Sequence, residues 1–346
     1  MGKRELNKLL KSQGLRIADT VAAAKSSVDV IPSGMFSIDW LLLGVGGIPV
    51  GRQVELYGPP AAGKSLLAYR FMAGAQRLND RYVAVCDSEA GLRDKLGLGW
   101  VEKQGVDMSR LVLSTETELE NVFDQVRAMV ESGEFSLIVV DSLAECAPSV
   151  MIESEEVWGK KRPVACEPRA ITEFVKVITG PAADTNTAIV YVNQVRDKIG
   201  IQFGNPETTP GGNALKHTVA LRMRMARRGD LQDGETVVGA LSSVNVEKSK
   251  FGPRSKSEKN TAEHIQFWFN DVHAPDAAGV IHAAEGMGLV EKAGSWIKYG
   301  VVNVQGQKNF VQQALDEGWW DDLEDAVIAN LRKVGDEWKL EQAQET

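Results

Sequence analysis

The segment GPPAAGKS, residues 58–65, restricts the possible folds of this chain more than any other stretch. It carries two glycines with four residues between them, then Lys and Ser, and it lies between an apolar run and a helical pattern. Glycines allow backbone N–H groups to point at phosphate oxygens, and the N-terminus of the following helix adds a positive dipole end. In this strand-to-helix context the spacing indicates a phosphate-binding loop rather than a chance glycine-rich turn.

The last two residues of this loop have specific chemistry toward a nucleoside triphosphate. Lys64 is expected to reach the β- and γ-phosphates, and the hydroxyl of Ser65 can ligate Mg²⁺. The other members contribute backbone contacts to the phosphates, and they are Gly58, Pro59, Pro60, Ala61, Ala62 and Gly63. The sequence therefore predicts ATP and Mg²⁺ as the bound cofactors.

Apolar runs alternate with helical patterns from Gln53 onward. The runs are QVELY, YVAVC, SLIVV and AIVYV, and each is followed by a glycine or a polar residue. Continuously apolar strands that alternate with helices are typical of a parallel sheet covered on both faces. We therefore predict an α/β fold, a phosphate-loop ATPase core with a mainly parallel central sheet. Segments near 219–225, 237–247 and 263–269 are expected to continue the sheet as antiparallel strands.

Acidic residues follow two of these runs, at the edge where such sheets place their active residues. Asp141 ends SLIVVD, where it is suited either to hold Mg²⁺ through a water molecule or to cap the next helix. Beside a phosphate loop the metal role is favoured. Glu89 lies in VCDSEA, where its carboxylate either polarises an attacking water or serves as a surface or helix-capping acid. The residues alone leave both interpretations of Glu89 open.

The formal net charge of -8 argues weakly against a nucleic-acid partner, but the basic residues are concentrated locally. Five of them lie between Lys216 and Arg228 with no acid. In LRMRM, Arg222 and Arg224 alternate with apolar residues, which predicts one cationic strand face. A second cluster covers 160–162. Any one cluster is most simply a solvated charge run, but two of them beside flexible segments favour a phosphate-backbone partner.

The cysteines and the hydropathy of the sequence indicate the cellular compartment of the protein. The three cysteines, Cys86, Cys146 and Cys166, are widely spaced and odd in number. This pattern disfavours a disulfide framework or a metal site and fits a reducing cytoplasm. No apolar stretch reaches the ~20 residues that span a bilayer, so no membrane partner is expected.

The order of these motifs resembles that of one family. The phosphate loop, Asp-Ser-Glu, the Asp-Ser at Asp141, NQVRDKIGIQFGNPETTPGGNALK and GLVEKAGSWIKY follow one another as in the RecA family of bacterial or phage-encoded DNA recombinases. The resemblance runs from about Ile31 to Leu331, and segment 193–216 is its most specific part. It implies a DNA-dependent ATPase that forms helical filaments on single-stranded DNA. Such a protein pairs that strand with a homologous duplex in recombination, DNA repair and the SOS response. A LexA-type repressor as a further partner is left open.

The resemblance assigns roles by position. Glu89 falls on the general base of the family, and Gln194 falls on its γ-phosphate sensor. Lys248 and Lys250 fall on lysines that reach across the filament interface to the ATP of a neighbouring subunit. These four residues are therefore the catalytic candidates.

Two segments, 156–169 and 195–209, fall on the DNA-binding loops of the family. The DNA-binding candidates in and near them are Arg169, Arg196, Lys198, Ile199, Phe203, Asn205, Gly211, Gly212, Asn213 and Arg227. In the second loop the cations are suited to phosphates, and the Ile and Phe side chains to wedging or stacking against bases. A γ-phosphate contact by Gln194 at the root of this loop can order it, as in nucleotide switch loops.

Some positions depart from the family pattern. The stretch after Glu89 is longer than usual, and Trp100 is our candidate for adenine stacking because of its flat ring. Ser243 and Asn245 stand where the family often has basic residues that capture the duplex. Arg227 remains, so we expect this second DNA site to be weaker rather than absent.

We predict four regions: an N-terminal helical arm for oligomerisation (1–30), a RecA-type core with both DNA loops (31–270), a small α/β C-terminal domain (271–335) and a tail (336–346). The arm matches the family poorly, and the tail is less acidic than usual for the family. The pair Trp319 and Trp320 is expected in the core of the C-terminal domain.

Two other functions compete with a recombinase. A hexameric helicase or related ATPase on the same core would normally add a sizeable N-terminal domain, whereas about thirty residues precede the core here. A small-molecule kinase would need an acceptor pocket and a mobile Arg-rich lid, and it has no use for the long segment 193–215. Both alternatives explain fewer of the motifs.

Overall fold

A computed structural model describes residues 29–152, 166–197, 207–251, 261–269 and 276–344, with most of their side chains up to residue 333. Outside these ranges lie the predicted N-terminal arm up to residue 28, the first DNA-binding loop up to residue 165 and the middle of the second loop. In the part of the chain that the structure describes, no helix is long and apolar enough to cross a membrane.

The strands of the described residues are short at the ends of the chain and long in its middle. In chain order they are β1 (Val30–Ile31), β2 (Ile48–Pro49), β3 (Gln53–Gly58), β4 (Tyr82–Asp87), β5 (Leu111–Ser114), β6 (Phe135–Asp141), β7 (Ala188–Gln194), β8 (Arg196–Asp197), β9 (Glu207–Thr208), β10 (Leu221–Asp233), β11 (Thr236–Ser249), β12 (Thr261–Trp268), β13 (Glu291–Ala293), β14 (Trp296–Tyr299) and β15 (Val302–Gln305).

The helices alternate with the central strands and then dominate the C-terminal part. They are α1 (Lys64–Leu78), α2 (Lys95–Lys103), α3 (Leu119–Ser132), α4 (Ser149–Ile152), α5 (Cys166–Val177), α6 (Thr179–Thr185), α7 (Gly212–Thr218), α8 (Ala277–Gly286), α9 (Gln307–Asp316) and α10 (Trp320–Gln344). A π-helical turn covers Ser37–Leu42, and a 3-10 turn covers Met108–Arg110.

Eight strands form the central sheet in the order β12-β11-β10-β3-β7-β6-β4-β5. Every pairing from β10 to β5 is parallel, which confirms the prediction of a mainly parallel sheet. β11 pairs antiparallel with both β10 and β12. The antiparallel extension therefore begins at β11, because β10 itself runs parallel to β3.

The sheet is buried on both faces because β4, β6 and β7 consist largely of apolar residues. In β7, Val190 and Val192 pack in the core on the α1 side, whereas Ile189 and Tyr191 pack in the core that contains α3 and α5. This alternation follows from the two-residue period of a strand. Continuous apolar runs thus supply two cores at once.

Parallel pairing brings the carboxyl ends of the strands to one edge. In the register, Gly58 of β3 stands opposite Gln194 of β7, and Asp87 of β4 stands opposite Asp141 of β6. Asp141 stands opposite Val192, two residues before Gln194, so the four residues lie at one edge of the sheet although not at one level.

A separate apolar cluster holds the C-terminal helices around the small sheet β13-β14-β15. Trp320 is buried in it, as expected. Trp319 is only partly buried, and its ring packs 5.2 Å from Phe310 and 5.1 Å from Tyr299, centroid to centroid. Phe36, just before the π-helical turn, also belongs to this cluster.

Candidate nucleotide site

The phosphate loop lies between β3 and α1, and packing as well as ligand access requires its glycines. Gly63 is the N-cap of α1 with φ 86°, and a Cβ there would stand 2.9 Å from the ring of Phe267. A Cβ on Gly58 would stand 2.1 Å from the carbonyl oxygen of Met225. Both positions therefore exclude side chains, and the first turn of α1 keeps its N–H groups available to an anion.

Lys64 is buried at the start of α1 and donates to carbonyls of its own loop. Its Nζ lies 3.1 Å from the oxygen of Gly58 and 2.8 Å from that of Pro59. Burial lowers the pKa of Lys64, and the carboxylates of Asp141 and Glu89 act in the opposite direction. The ammonium group is thus held beside the loop, close to the acids of the strand ends.

Asp141 and Ser65 supply oxygen ligands suited to a hard cation. Asp141 is buried at the end of β6, accepts a hydrogen bond from the Ser65 hydroxyl, and has its pKa raised to about 7 by burial. Its Oδ1 is buried and has no hydrogen-bond partner. Mg²⁺ in nucleotide sites takes one or two protein oxygens and completes its shell with water and phosphate, so these two residues fit that ion. Among the described residues no group of three or more His, Cys, Asp or Glu forms a metal site.

Glu89 and Gln194 contact each other directly. The Gln194 Nε2 donates to Glu89 Oε1 over 2.9 Å, although the two residues are 105 positions apart. Glu89 is exposed, just beyond the end of β4. The sequence placed both residues near one edge of the sheet, and the structure joins the expected base to the expected phosphate sensor.

The Asp-Ser-Glu segment is anchored by its first two residues. Asp87 accepts from the Leu92 N–H at 2.6 Å, and the Ser88 hydroxyl donates to the Ser142 carbonyl at 2.7 Å. The first contact is local, and the second ties the segment that carries Glu89 to the end of the neighbouring strand β6.

Tyr69 is a neighbour of this site that the sequence did not indicate. It lies in α1, buried, and burial together with the charges of Asp141, Asp87 and Glu89 raises its pKa. Its phenol therefore stays neutral beside three carboxylates. No sequence signal marks it, because a tyrosine in a helix with apolar neighbours looks like an ordinary core residue.

The second DNA-binding segment is described only at its two ends. β8 and β9 pair antiparallel, with Arg196 opposite Thr208. The Arg196 guanidinium donates to the carbonyl of Ala144 at 2.9 Å. The remaining candidates of this segment lie outside the described residues, and they are Lys198, Ile199, Phe203 and Asn205.

The returning end of the segment passes through two glycines with left-handed backbone. Gly211 has φ 87° and is the N-cap of α7, and Gly212 has φ 62°. A Cβ on Gly211 would meet the side chain of Ile171 at 3.0 Å. These glycines therefore shape the turn into α7. The side chain of Asn213 is not among those described.

The arginines of LRMRM do not form an unpaired cationic face, contrary to expectation. Arg222 donates to Glu55 at 2.5 Å, and Arg224 binds both carboxylate oxygens of Glu207 at 2.8 and 2.6 Å. Their partners lie on β3 and β9, so the two charges are neutralised within the protein.

Lys248 lies on β11 and Lys250 just after its end, and both donate to carbonyls at the C-terminal end of α7. Lys248 Nζ is 2.8 Å from the oxygen of Lys216, and Lys250 Nζ is 2.9 Å from that of Thr218. Cations at a helix C-terminus are favoured by its dipole. Both lysines therefore bind α7 of their own subunit and not the phosphate loop.

Two further candidates are the arginines Arg169 and Arg227. Arg169 on α5 is exposed and pairs with Glu173. Arg227 on β10 pairs with Asp230 and donates to the carbonyl of Ala61, in the phosphate loop, at 3.2 Å. Arg227 thus connects the predicted duplex-binding surface to the phosphate loop itself.

Trp100, the adenine-stacking candidate, lies on α2 and is 38% exposed. Its ring meets Phe269 edge-on with centroids 5.4 Å apart, and Lys103 Nζ lies 5.2 Å from its centroid. Phe269 follows the end of β12, the strand whose Phe267 packs near Gly63.

The two positions that lack the basic residues of the family differ in accessibility. Ser243 is buried, and its hydroxyl accepts from Arg228 Nε at 2.9 Å. Asn245 is half-buried and accepts from Thr261 at 3.1 Å. Of these two positions, only Asn245 is accessible to solvent.

Comparisons with known proteins identify relatives of this chain. The RecA N-terminal domain matches residues 6–264. A protein named RecA from Thermus thermophilus is 36% identical over 294 residues, covering 85% of this chain and 82% of the relative. A protein named RecA from Bifidobacterium longum is 33% identical over 327 residues, covering 94% of this chain and 78% of the relative. A crystal structure of the RadB recombinase gives a TM-score of 0.48 at 23% identity, and covers 67% of this chain and 94% of that one.

Proposed function

The chain belongs to the RecA family, and on that basis we propose that it is a DNA-dependent ATPase that forms filaments on single-stranded DNA. It then pairs that strand with a homologous duplex and exchanges strands in recombination and repair. One observation carries this proposal: Gln194, at the root of the long loop, donates a hydrogen bond to Glu89. A hydrolytic carboxylate and a DNA-binding segment are thereby linked through one side chain.

ATP is the proposed substrate and Mg²⁺ the proposed cofactor. The loop 58–65 binds the phosphates through backbone N–H groups, and Trp100 stacks on the adenine. Lys64 exchanges its two loop carbonyls for phosphate oxygens. Ser65 and Asp141 hold Mg²⁺, which when bound neutralises phosphate charge. Asp141 must be ionised for this, so the ion and Lys64 together offset the burial that favours its protonated form.

Glu89 acts as general base toward the attacking water. In the contact described, one of its oxygens is occupied by the Gln194 amide. A bound γ-phosphate offers that amide its own charged oxygens and so competes with Glu89 for the hydrogen bond. That change of partner frees the carboxylate to take a proton and sets the position of the loop that follows Gln194.

DNA binds to the two segments 156–169 and 195–209, with Arg227 and its neighbours as a weaker site for the duplex. Arg169 and Arg196, both exposed, are placed to exchange their present partners for DNA phosphates. Lys248 and Lys250 leave α7 on assembly and complete the ATP site of a neighbouring subunit, in the manner of an arginine finger.

We further propose a cytoplasmic location, since the three cysteines are widely spaced in the sequence and odd in number. A LexA-type repressor is a further partner that the family suggests, and cleavage of such a repressor by the DNA-bound filament would test it. A hexameric helicase on the same core is not favoured, because the relatives reported above are named RecA.

ATP hydrolysis measured with and without single-stranded DNA tests the proposal. We expect hydrolysis that depends on the DNA, loss of it in Lys64→Ala, and helical filaments in electron micrographs. Hydrolysis indifferent to DNA, or closed rings in place of filaments, would contradict the proposed function. Transfer of phosphate to a small molecule without DNA would favour a kinase instead.

A further inference from the structure

A buried polar cluster lies between the nucleotide site and the second DNA-binding segment. At its centre is Arg222 of β10, whose side chain is 10% exposed and pairs at 2.5 Å with the fully buried Glu55 of β3. One guanidinium nitrogen of Arg222 also donates to the Tyr57 hydroxyl at 3.1 Å and to Glu247 at 2.8 Å. The guanidinium lies 3.8 Å from the centroid of the Tyr57 ring. The other terminal nitrogen donates to the hydroxyl of Thr209 at 3.3 Å.

The same cluster reaches Gln194 through Asn193. The fully buried amide of Asn193 donates to the second oxygen of Glu55 at 3.1 Å and to the carbonyl of Pro210 at 3.1 Å. Its own oxygen accepts from the backbone N–H of Gln194 at 3.2 Å. Both ends of the loop, one at Gln194 and the other at Thr209 and Pro210, are therefore bound to one connected set of side chains.

Stability alone does not explain this arrangement. Replacing a buried ion pair by apolar residues of similar volume often leaves a protein equally or more stable, because desolvation offsets the attraction. The Arg222 fork nevertheless has partners on all three nitrogens, and they belong to three different segments of the chain. A planar guanidinium fixes such partners in one geometry, which a point charge on a flexible stem does not.

We propose that Arg222 is a positioning residue that couples the nucleotide state of Gln194 to the DNA-binding loop. Through Glu55 and Asn193 it holds the backbone at Gln194, and through Thr209 it holds the returning end of the loop. When Gln194 changes partner, the two ends respond together. This inference rests on the proposed function and adds a residue outside the nucleotide-binding and DNA-binding candidates named above.

Arg222→Lys tests the inference, because it keeps the positive charge beside Glu55 and removes the fork. The readout is the affinity for a fluorescein-labelled oligothymidylate, measured with a non-hydrolysable ATP analogue and with ADP. In the parent the ratio of the two affinities should be about 5- to 150-fold, the usual range for coupled sites. In Arg222→Lys we expect the ratio of DNA affinities to fall close to one. The affinity of the protein for the ATP analogue itself should stay near that of the parent. Arg110→Lys, which removes a fork paired with Asp107 far from both sites, is the matched control.

Three outcomes are distinct. A parent without nucleotide preference would remove the proposed function and this inference together. If the parent prefers DNA in the ATP analogue and Arg222→Lys keeps the same ratio of affinities, the inference alone is overturned. An equal loss of DNA affinity with the analogue and with ADP would also overturn it. If Arg222→Lys does not fold, the pair Glu55→Gln with Arg222→Met removes both charges and keeps an acceptor for Asn193. The inference predicts the same loss of ratio in that double variant, and a retained ratio overturns it.

Discussion

Replacing Glu89 by Gln should separate hydrolysis from binding. The substituted amide keeps a carbonyl oxygen, so it can still accept the hydrogen bond that Gln194 donates over 2.9 Å. It cannot accept a proton from water. General bases typically contribute about 10²–10⁴-fold to a rate, which corresponds to about 3–5 kcal/mol of activation free energy at 1.36 kcal/mol per tenfold.

The effect of Glu89→Gln on ATP binding should be much smaller than its effect on the rate. Glu89 is exposed, and its charge is one of the two that counteract the lowered pKa of Lys64. Interactions of exposed charges are typically worth less than about 1 kcal/mol because water screens them. The loss of a negative charge near the triphosphate should leave ATP affinity equal or slightly higher.

The assay is single-turnover hydrolysis on saturating single-stranded DNA, with ATP binding measured separately by a fluorescent analogue. Glu102→Gln, an exposed acid on α2, is the control and should behave as the parent. Hydrolysis by Glu89→Gln at close to the parent rate would refute the base assignment. A large loss of ATP affinity would show instead that Glu89 serves binding.

The remaining predictions concern assembly and the duplex. Lys250→Ala should bind ATP yet lack DNA-stimulated hydrolysis. Mixing it with Lys64→Ala should restore some turnover at interfaces where an intact Lys250 meets an intact phosphate loop. No recovery at any mixing ratio would contradict action in trans. Asn245→Lys should raise duplex capture and make it more salt-dependent, because it adds one cation for phosphate. Substitution at Ser243 is not equivalent, since that residue is buried against Arg228. If Asn245→Lys leaves duplex capture unchanged at every salt concentration, the idea that this site lacks cations is contradicted.

The parts of this protein that follow from short stretches were predictable. The phosphate loop depends on a few consecutive residues, and each strand-end acid lies next to its own apolar run. The parallel register then carries Asp141 and Gln194 to one edge without further information. Family resemblance added roles to residues that chemistry alone left open, Glu89 above all.

The parts that depend on distant partners were not predictable. The LRMRM pattern indicated a cationic face, yet Arg222 is neutralised by Glu55, which lies 167 positions away. Arg224 is neutralised by Glu207 of β9, which is outside its own strand β10. Charge spacing within one strand gives the face on which a side chain lies but not the carboxylate opposite it. Asn193 was overlooked for the same reason, because only the fold brings Glu55 and Pro210 to its amide.

The most direct test of the account is the DNA affinity of Gln194→Ala in two nucleotides. This substitution removes the amide that now contacts Glu89 and should contact the γ-phosphate, and it leaves the phosphate loop intact. Fluorescence anisotropy should show near-normal ATP binding together with equally weak binding of single-stranded DNA in ATP and in ADP. A Gln194→Ala protein that kept the parent's preference for DNA in ATP would contradict the claim that this side chain couples the two ligands.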